Sequence, residues 1–176
     1  MTSNEEWMEA YKRGDVEGFE NLYSHLYEPL YCFLFRYTRE EQLSIDIVQD
    51  TFERLQYVKD DFDQYRGTVK AFLFQIAYRQ MINKLNRRKK WRTLLPFLTP
   101  TPSYSLSSDE KLTVQQAILK LPDKQRGVIL LAYYHDLPQE EIAQILSIPL
   151  GTVKSRLHNA MKALKEELKE DFDAKG

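Results

Sequence analysis

The amino-acid sequence predicts an all-α fold, built from two small helical domains that a flexible linker joins. Apolar residues recur every three or four positions through most of the 176 residues, which is the spacing of an amphipathic helix. No segment shows the strict alternation of apolar and polar residues that marks a strand. A stretch at 95–108 holds three prolines and four serines, a composition that favours extended chain. These observations predict an N-terminal domain at residues 1–92, a linker at 93–109 and a C-terminal domain at 110–176.

The N-terminal domain contains three predicted helices, each with one apolar face, so that they form a bundle. The first runs from residue 15 to 38 and includes Pro29. Because proline lacks a backbone N–H, a kink or a break into two helices is expected there. The second helix covers residues 40–58. The third follows Gly67 and runs from residue 69 to about 91.

The C-terminal domain contains four predicted helices, at residues 111–120, 123–135, 138–146 and 150–168. Prolines precede the second and the third of them, which is a common signal for the start of a helix. The last two helices are separated by only three residues, and this short connection predicts a helix-turn-helix.

The last helix carries a polar face suited to DNA. A polar face on a lone amphipathic helix is more often simply solvated, but here the complete helix-turn-helix favours insertion into the major groove. Arginine and lysine pair with guanine edges or phosphates, and asparagine pairs with adenine. The candidate residues are Thr152, Lys154, Ser155, Arg156 and Asn159.

The net charge of −1 hides a strong segregation of charge along the chain. Residues 1–63 carry a net charge of −9, whereas residues 64–108 carry +9 and contain no Asp or Glu. A basic segment that also holds amides and aromatic rings can neutralise phosphates and contact exposed bases. A core role for the rings of Tyr65 and Trp91 stays open. The candidate residues for DNA contact are Tyr65, Arg66, Tyr78, Arg79, Asn83, Lys84, Arg87 and Arg88.

An acidic face is predicted on the second helix, formed by Asp46, Gln49, Asp50 and Glu53. Its default interpretation is a solvated surface. The sharper interpretation is a protein-binding patch, because an acidic surface repels DNA and suits a basic protein.

Catalysis, metal binding and cofactor binding have little support in the sequence. The histidines at positions 25, 135 and 158 lack metal-ligand spacing, and there is neither a Gly-rich phosphate loop nor a nucleophile motif. We therefore expect no enzymatic activity and no cofactor. One cysteine, Cys32, suits a reducing cytoplasm. We also expect no signal peptide and no membrane insertion, because the apolar runs are short.

Three motifs, in this order, resemble the extracytoplasmic-function (ECF) sigma factors of bacterial RNA polymerase. The first is SIDIVQDTF at residues 44–52, which is similar to the helix that docks on the polymerase clamp. The second, VKAFLFQIAYR at 69–79 followed by INKLNRR at 82–88, is similar to the element that melts and reads the minus-ten region. The third, LPDKQR at 121–126 leading into the helix-turn-helix, is similar to the domain that reads the minus-thirty-five region. Together they cover roughly residues 8–168.

The resemblance implies a subunit that binds RNA polymerase core and directs promoter-specific initiation for a stress or envelope regulon. It implies that the acidic face binds core and that the helix-turn-helix binds the minus-thirty-five element. The loop at 65–68 and the helix after it would hold a base flipped out of the minus-ten duplex, at a cost of a few kcal/mol. The linker would thread toward the active site of the polymerase. The implied regulator is an anti-sigma factor, which in this family is often bound to the membrane.

Several positions depart from the family pattern. Phe72 stands where the family often has Trp, and Arg79 stands where Asn or Thr is common. The segment 158–162 is less basic than the family pattern, so we expect weak DNA binding by the C-terminal domain alone. A stand-alone helix-turn-helix regulator is the main alternative, and a DNA-processing enzyme ranks last because residues 64–108 hold no carboxylate.

Overall fold

The computed structural model describes residues 3–95 and 114–173, and within these two ranges the chain is helical without a strand. The all-α prediction is therefore confirmed. A 3-10 turn at Lys59–Asp61 follows the third helix. The α-helices are α1 (Asn4–Lys12), α2 (Val16–Thr38), α3 (Glu41–Val58), α4 (Val69–Leu94), α5 (Val114–Lys120), α6 (Asp123–Tyr133), α7 (Gln139–Leu146) and α8 (Leu150–Asp173).

The first helix, α1, was not predicted from the sequence. It is nine residues long and begins with a capping box, in which Ser3 and Glu6 bond each other's backbone N–H. It packs against α2 and also touches α4. A helix this short spans too few turns to show a reliable apolar periodicity, so its sequence did not predict it.

α2 continues through Pro29 as a single helix, so of the two expected outcomes, a kink or a break, the break into two helices does not occur. Proline removes one backbone hydrogen bond, but the residues around it keep a continuous buried face. Leu22, Leu26, Leu30 and Phe33 are each at most 2% exposed. Burial of this apolar stripe offsets the lost hydrogen bond, since each fully buried leucine contributes about 2 kcal/mol.

The core of the N-terminal unit lies where α2, α3 and α4 pack together. Its largest fully buried side chains include Phe33, Ile47, Leu55 and Phe74. The C-terminal unit has α8 packed against α5, α6 and α7. Of the predicted linker at 93–109, residues 96–109 lie outside the described residues. Its first two positions belong to α4, which extends to Leu94.

The two units dock on one another, which was not predicted from the sequence. α7 packs against α4 and α6 packs against α2, so the buried residues form one continuous cluster. His135 lies at this junction, 9% exposed, with its ring edge-on to Phe33 and Phe74 of the N-terminal unit. The surfaces predicted to bind DNA are therefore positioned by a single packed body.

Candidate nucleic-acid interface

The loop at residues 59–68 presents two of the predicted DNA-contacting side chains to solvent. Tyr65 is 90% exposed, and Arg66 is exposed as well. Asp63 shapes the loop, because its Oδ1 accepts a hydrogen bond from the backbone N–H of Tyr65 at 2.9 Å and its carbonyl accepts one from that of Arg66 at 3.0 Å. The Tyr65 ring is thus outside the core. Trp91 is 60% exposed, so a core role is excluded for it too.

The predicted DNA-contacting residues between positions 79 and 88 of α4 fall into two groups, exposed side chains and side chains that form ion pairs with carboxylates. Arg79, Asn83 and Arg87 are exposed. Lys84 and Arg88 are half-buried, and each lies against a carboxylate of the N-terminal unit. Asn83 and Arg87 can reach DNA directly, whereas Arg79 also bonds Ser147 Oγ. Lys84 and Arg88 must first exchange a protein carboxylate for a phosphate.

Two ion pairs join α4 to the neighbouring acidic surface. Lys84 Nζ lies 3.0 Å from Asp50 Oδ2, and Arg88 Nη1 lies 2.6 Å from Glu40 Oε2. All four side chains are about one-third exposed, so each pair adds little stability, on the order of 1 kcal/mol or less. The pair of Lys84 and Asp50 shows that the predicted DNA surface and the predicted acidic patch share a border.

The acidic patch lies on the outward face of α3. Gln49 and Glu53 are exposed, Asp46 and Asp50 are half-buried, and the intervening Phe52 is buried. Asp46 Oδ1 accepts a hydrogen bond from the Gln42 side chain at 2.9 Å. The four predicted residues therefore lie on one face, as the helical spacing required.

Tyr78 is a predicted DNA-contacting residue whose side chain is only partly accessible to solvent. Its side chain is half-buried against the core. Burial raises the pKa of its hydroxyl, and the nearby Arg156 guanidinium acts in the opposite direction. This electrostatic influence of Arg156 on Tyr78 shows that a predicted minus-thirty-five residue lies near a predicted minus-ten residue.

The helix-turn-helix forms as predicted, with α7 and α8 joined through residues 147–149. Ser147 takes a left-handed conformation with φ of 54°, which ends α7. Two hydrogen bonds close the turn, from the N–H of Ser147 to the Gln144 carbonyl at 3.2 Å and from that of Ile148 to the Ala143 carbonyl at 3.0 Å.

The predicted recognition residues on α8 have unequal access. Lys154, Ser155 and Asn159 are exposed, whereas Thr152 and Arg156 are half-buried. The buried Val153 holds this first turn of α8 against the C-terminal unit. All five predicted residues lie within the first three turns of α8, where recognition helices contact bases.

The turn of this motif rests on the predicted minus-ten helix. Gln75 Nε2 donates to the Gln144 carbonyl at 2.9 Å and to Ser147 Oγ at 3.4 Å, and Arg79 Nη2 donates to Ser147 Oγ at 3.2 Å. The side chain of Gln144 also lies over Gly67, where a Cβ would meet its Oε1 at 2.5 Å. In this packed form the two predicted DNA surfaces cover part of each other.

A cleft of about 480 Å³ opens between α3 and α4 beside this junction. Apolar Phe72 and Ile76 line it together with the polar groups of Arg79, Gln80 and Asn83. With Asp61 and Arg54 also in its lining, the cleft combines apolar contact with several hydrogen-bonding groups, the two kinds of contact by which a pocket holds a flipped base.

His135 is a titratable group at the domain junction. Burial, together with the positive charges of Lys70 and Arg36, lowers its pKa to about 4. Its Nε2 is buried without a hydrogen-bond partner, while its carbonyl accepts from Lys70 Nζ at 3.3 Å. The histidine is therefore neutral at physiological pH, and its role here is structural.

Three groups that shape this interface were missed from the sequence: Glu5, Gln75 and His135. Each acts through a contact at least 64 residues distant along the chain. Local periodicity carries no signal for such contacts.

The part of the chain that the structure describes contains no cluster of side chains able to hold a metal ion. None of its helices is long and apolar enough to cross a bilayer.

Comparison with known proteins identifies both halves of the chain. The family model for sigma-70 region 2 matches residues 22–92, and that for sigma-70 region 4 matches residues 111–164. The ECF RNA polymerase sigma factor SigW of Bacillus subtilis is 31% identical over 175 residues, covering 90% of this chain and 93% of SigW.

Two solved structures share the fold across both units. CnrH, in complex with the cytosolic domain of CnrY, gives a TM-score of 0.72 at 25% identity, covering 94% of this chain and 96% of that one. The sigma factor RpoE of Bartonella quintana, in complex with the anti-sigma factor NepR, gives a TM-score of 0.68 at 25% identity, covering 86% and 96% of the two chains.

Proposed function

We propose how the surfaces of this chain divide the work of transcription initiation, starting from the fact that the chain belongs to the ECF sigma factors of bacterial RNA polymerase. It is a sigma factor that directs transcription, and it is not an enzyme. A stand-alone regulator is not favoured, because such a protein would need the helix-turn-helix but not a sigma-70 region 2.

The N-terminal domain, residues 1–92, binds polymerase core and opens the minus-ten element. Core binding is assigned to Asp46, Gln49, Asp50 and Glu53, which share the outward face of α3. The C-terminal domain, residues 110–176, reads the minus-thirty-five element through α8, and residues 93–109 link the two. The observation that carries this division is the border between α3 and α4, where an acidic and a basic surface meet at the pair Asp50–Lys84.

Minus-ten contact is assigned to the loop at 59–68 and to α4. Tyr65 is exposed for stacking on a base, and Arg79 and Asn83 border the cleft in which that base would lie. Stacking on an aromatic ring contributes about 1–3 kcal/mol per base, which offsets the cost of flipping. Arg66, Tyr78, Lys84, Arg87 and Arg88 complete the proposed surface.

Minus-thirty-five contact is assigned to Thr152, Lys154, Ser155, Arg156 and Asn159. The two promoter elements lie on the order of 25 base pairs apart, or roughly 85 Å at 3.4 Å per base pair. A compact chain of this size is only about 40 Å across. The packed form must therefore open before both elements can be bound, and polymerase is the partner that would hold the two domains apart.

The proposed regulator is an anti-sigma factor that binds the packed form. Support comes from the two similar structures, since both were solved with a protein partner and both match this chain over its two docked units. The site of action is the cytoplasm, and the regulon is one of stress or envelope genes.

Reconstitution with core polymerase tests the proposed function. Transcript mapping after overexpression supplies the promoters, and run-off transcription from them with purified core and the full chain should begin at the mapped sites. Failure of the chain to associate with core in a pull-down would refute the proposal.

A further inference from the structure

We propose that α1 is a positioning element for promoter opening, in which Glu5 and Lys12 hold the loop at 59–68 in its base-capturing shape. This inference rests on the proposed minus-ten role of that loop. α1 lies ahead of residues 22–92, the part of the chain that matches region 2. The contacts that follow are all between α1 and the two ends of the loop.

Glu5 caps the start of α4 from another helix. Its Oε1 accepts a hydrogen bond from the backbone N–H of Val69, the first residue of α4, at 3.1 Å. The N–H of Ala71 is already bonded to Thr68 Oγ1 at 3.1 Å. Because a helix N-terminus carries positive partial charge, a carboxylate there stabilises it. α4 has no acidic residue in its own first turn, so Glu5 supplies this charge from α1.

Two lysines tie the other end of the loop to α1. Lys12 Nζ donates to the Phe62 carbonyl at 2.9 Å and lies 5.8 Å from the centre of the Phe62 ring. Lys59 Nζ donates to the Tyr11 carbonyl at 3.3 Å and lies 4.4 Å from the centre of the Tyr11 ring. The loop is therefore fastened to α1 at residues 59 and 62 and again at residue 69.

α1 is itself rigidly seated, so it can act as an anchor. Met8 is fully buried, and the Trp7 ring packs edge-on to His25 of α2 at 5.5 Å between centroids. Gly18 of α2 permits this close approach, since a Cβ there would lie 2.4 Å from the Trp7 carbonyl oxygen and 2.9 Å from the Tyr11 nitrogen. Both are backbone atoms, so neither can move away without shifting α1.

The consequence for function is preorganisation. Between the two fastened ends, Tyr65 projects into solvent and is 90% exposed. Base flipping costs a few kcal/mol, and a loop that must also become ordered on binding has less stabilisation left to offset that cost. A loop held in place before DNA arrives avoids the ordering cost. We expect Glu5→Ala to reduce opening of a duplex promoter by about tenfold.

The test compares Glu5→Ala, Glu5→Gln and Lys12→Met with the matched control Glu6→Gln. Gln at position 6 preserves the capping box of α1 while removing the same charge as Glu5→Gln. Hydrogen exchange is measured on residues 62–69 in the full chain. Permanganate reactivity of minus-ten thymines is measured with core polymerase on a mapped promoter, both as a duplex and with the minus-ten region already unpaired.

The expected result has three parts. Glu5→Ala and Lys12→Met should raise the hydrogen-exchange rate of the loop. With Glu5→Ala the largest increase should be at Val69. The exchange rate of Glu5→Gln should lie between those of these two variants and that of the wild type. The same variants should lose opening on the duplex and keep binding to the unpaired template. Glu6→Gln should match the wild type in both measurements.

Three results would overturn the inference. Unchanged exchange at Val69 would show that Glu5 does not hold α4. Faster exchange with normal opening would show that the contacts are structural only, and equal losses on both templates would point to a general defect. If wild-type holoenzyme opened no mapped promoter, the proposed function would fall, while exchange would still decide whether α1 holds the loop.

Discussion

Asp50 and Lys84 show how one residue pair can serve two surfaces. Asp50 belongs to the proposed polymerase-binding patch and Lys84 to the proposed minus-ten surface, yet their charged atoms lie 3.0 Å apart. Any partner that engages Asp50 competes with Lys84 for the carboxylate. Core binding would thereby leave the Lys84 ammonium available to a DNA phosphate.

Asp50→Ala should weaken binding to core polymerase by about 1–2 kcal/mol without unfolding the N-terminal unit, because an exposed ion pair contributes little to stability. Binding can be measured by fluorescence titration and folding by thermal melting. Glu41→Ala is the control, since Glu41 is exposed on the same helix but outside the patch. Equal affinity of the Asp50 variant and the wild type would remove α3 from the polymerase interface.

Arg156→Ala should weaken recognition of the upstream promoter element by about 1–3 kcal/mol if its guanidinium contacts a base. The measurement is holoenzyme binding to the mapped promoter and to variants with single substitutions in the minus-thirty-five element. Lys162→Ala provides the control, as an exposed cation farther along α8. A loss that is equal on every sequence would instead make Arg156 a phosphate contact.

At the scale of elements, α4 carries the residues proposed to contact DNA on one side and a docking site for α7 on the next. Gln75 belongs to the docking site. Arg79 belongs both to the docking site, through its bond to Ser147 Oγ, and to the proposed DNA surface. Under the proposed function, docking and DNA binding therefore compete for the same helix. The energy of docking sets how readily α4 becomes accessible.

Gln75→Ala should shift the free chain toward separated domains, because it removes the bonds to the Gln144 carbonyl and Ser147 Oγ. The shorter bond, to the Gln144 carbonyl, is worth about 1 kcal/mol, so its loss alone should raise the open population roughly fivefold, and loss of the longer bond to Ser147 Oγ adds to this. Single-molecule energy transfer between dyes at positions 57 and 165 measures the fraction of chains with separated domains.

The matched control for this change is Gln80→Ala. Gln80 lies on the same helix and bonds the Asp50 carbonyl within the N-terminal unit, away from the docking site. A rise in the open population with Gln80→Ala as large as that with Gln75→Ala would show that α4 itself, and not the docking contact, had been weakened.

Docking of α6 and α7 also makes the packed form sensitive to acid through His135. Its pKa is about 4 when packed, below the ordinary value near 6.5, so the neutral ring is favoured by packing. The opened or unfolded chain takes up a proton as pH falls from about 6.5 toward 4. Stability of the packed form is therefore complete above pH 6.5 and declines below it.

His135→Phe should remove this pH dependence while keeping an aromatic ring against Phe33 and Phe74. Urea unfolding at pH 7 and pH 5 measures it: the wild type should lose more stability between the two values than the variant does. Parallel losses in the two proteins would show that His135 does not titrate in this range and that carboxylates account for the change.

At the scale of the whole molecule, the packed chain is too short to reach both promoter elements. The described residues form one body with a continuous buried cluster. A compact chain of this length spans about 40 Å, whereas the two promoter elements lie roughly 85 Å apart. Under the proposed function, the chain therefore works in two forms, one packed and one extended over polymerase. The expected weak DNA binding of the free protein follows from the packed form as well as from its less basic recognition helix.

Much of the candidate site was predictable because it depends on local order along the chain. The acidic face of α3, the basic face of α4 and the helix-turn-helix each follow from helical spacing within a single segment. Even so, Lys84, Arg88 and Tyr78 are less accessible than their residue types suggested, since ion pairing and burial depend on neighbouring helices.

Amphipathic periodicity and motif spacing are properties of contiguous residues, so the sequence alone was enough to predict helices α2 to α8, the order of the sigma-70 motifs and the family. Three outcomes became clear only in the folded chain: α2 passes unbroken through Pro29, α1 caps α4 through Glu5, and Ser147 rests on α4. Each of these outcomes depends on packing or on contacts between residues far apart in the chain, 64 positions for Glu5 and Val69. Such contacts gain their free energy from the assembled core, and no local pattern encodes which surfaces will meet.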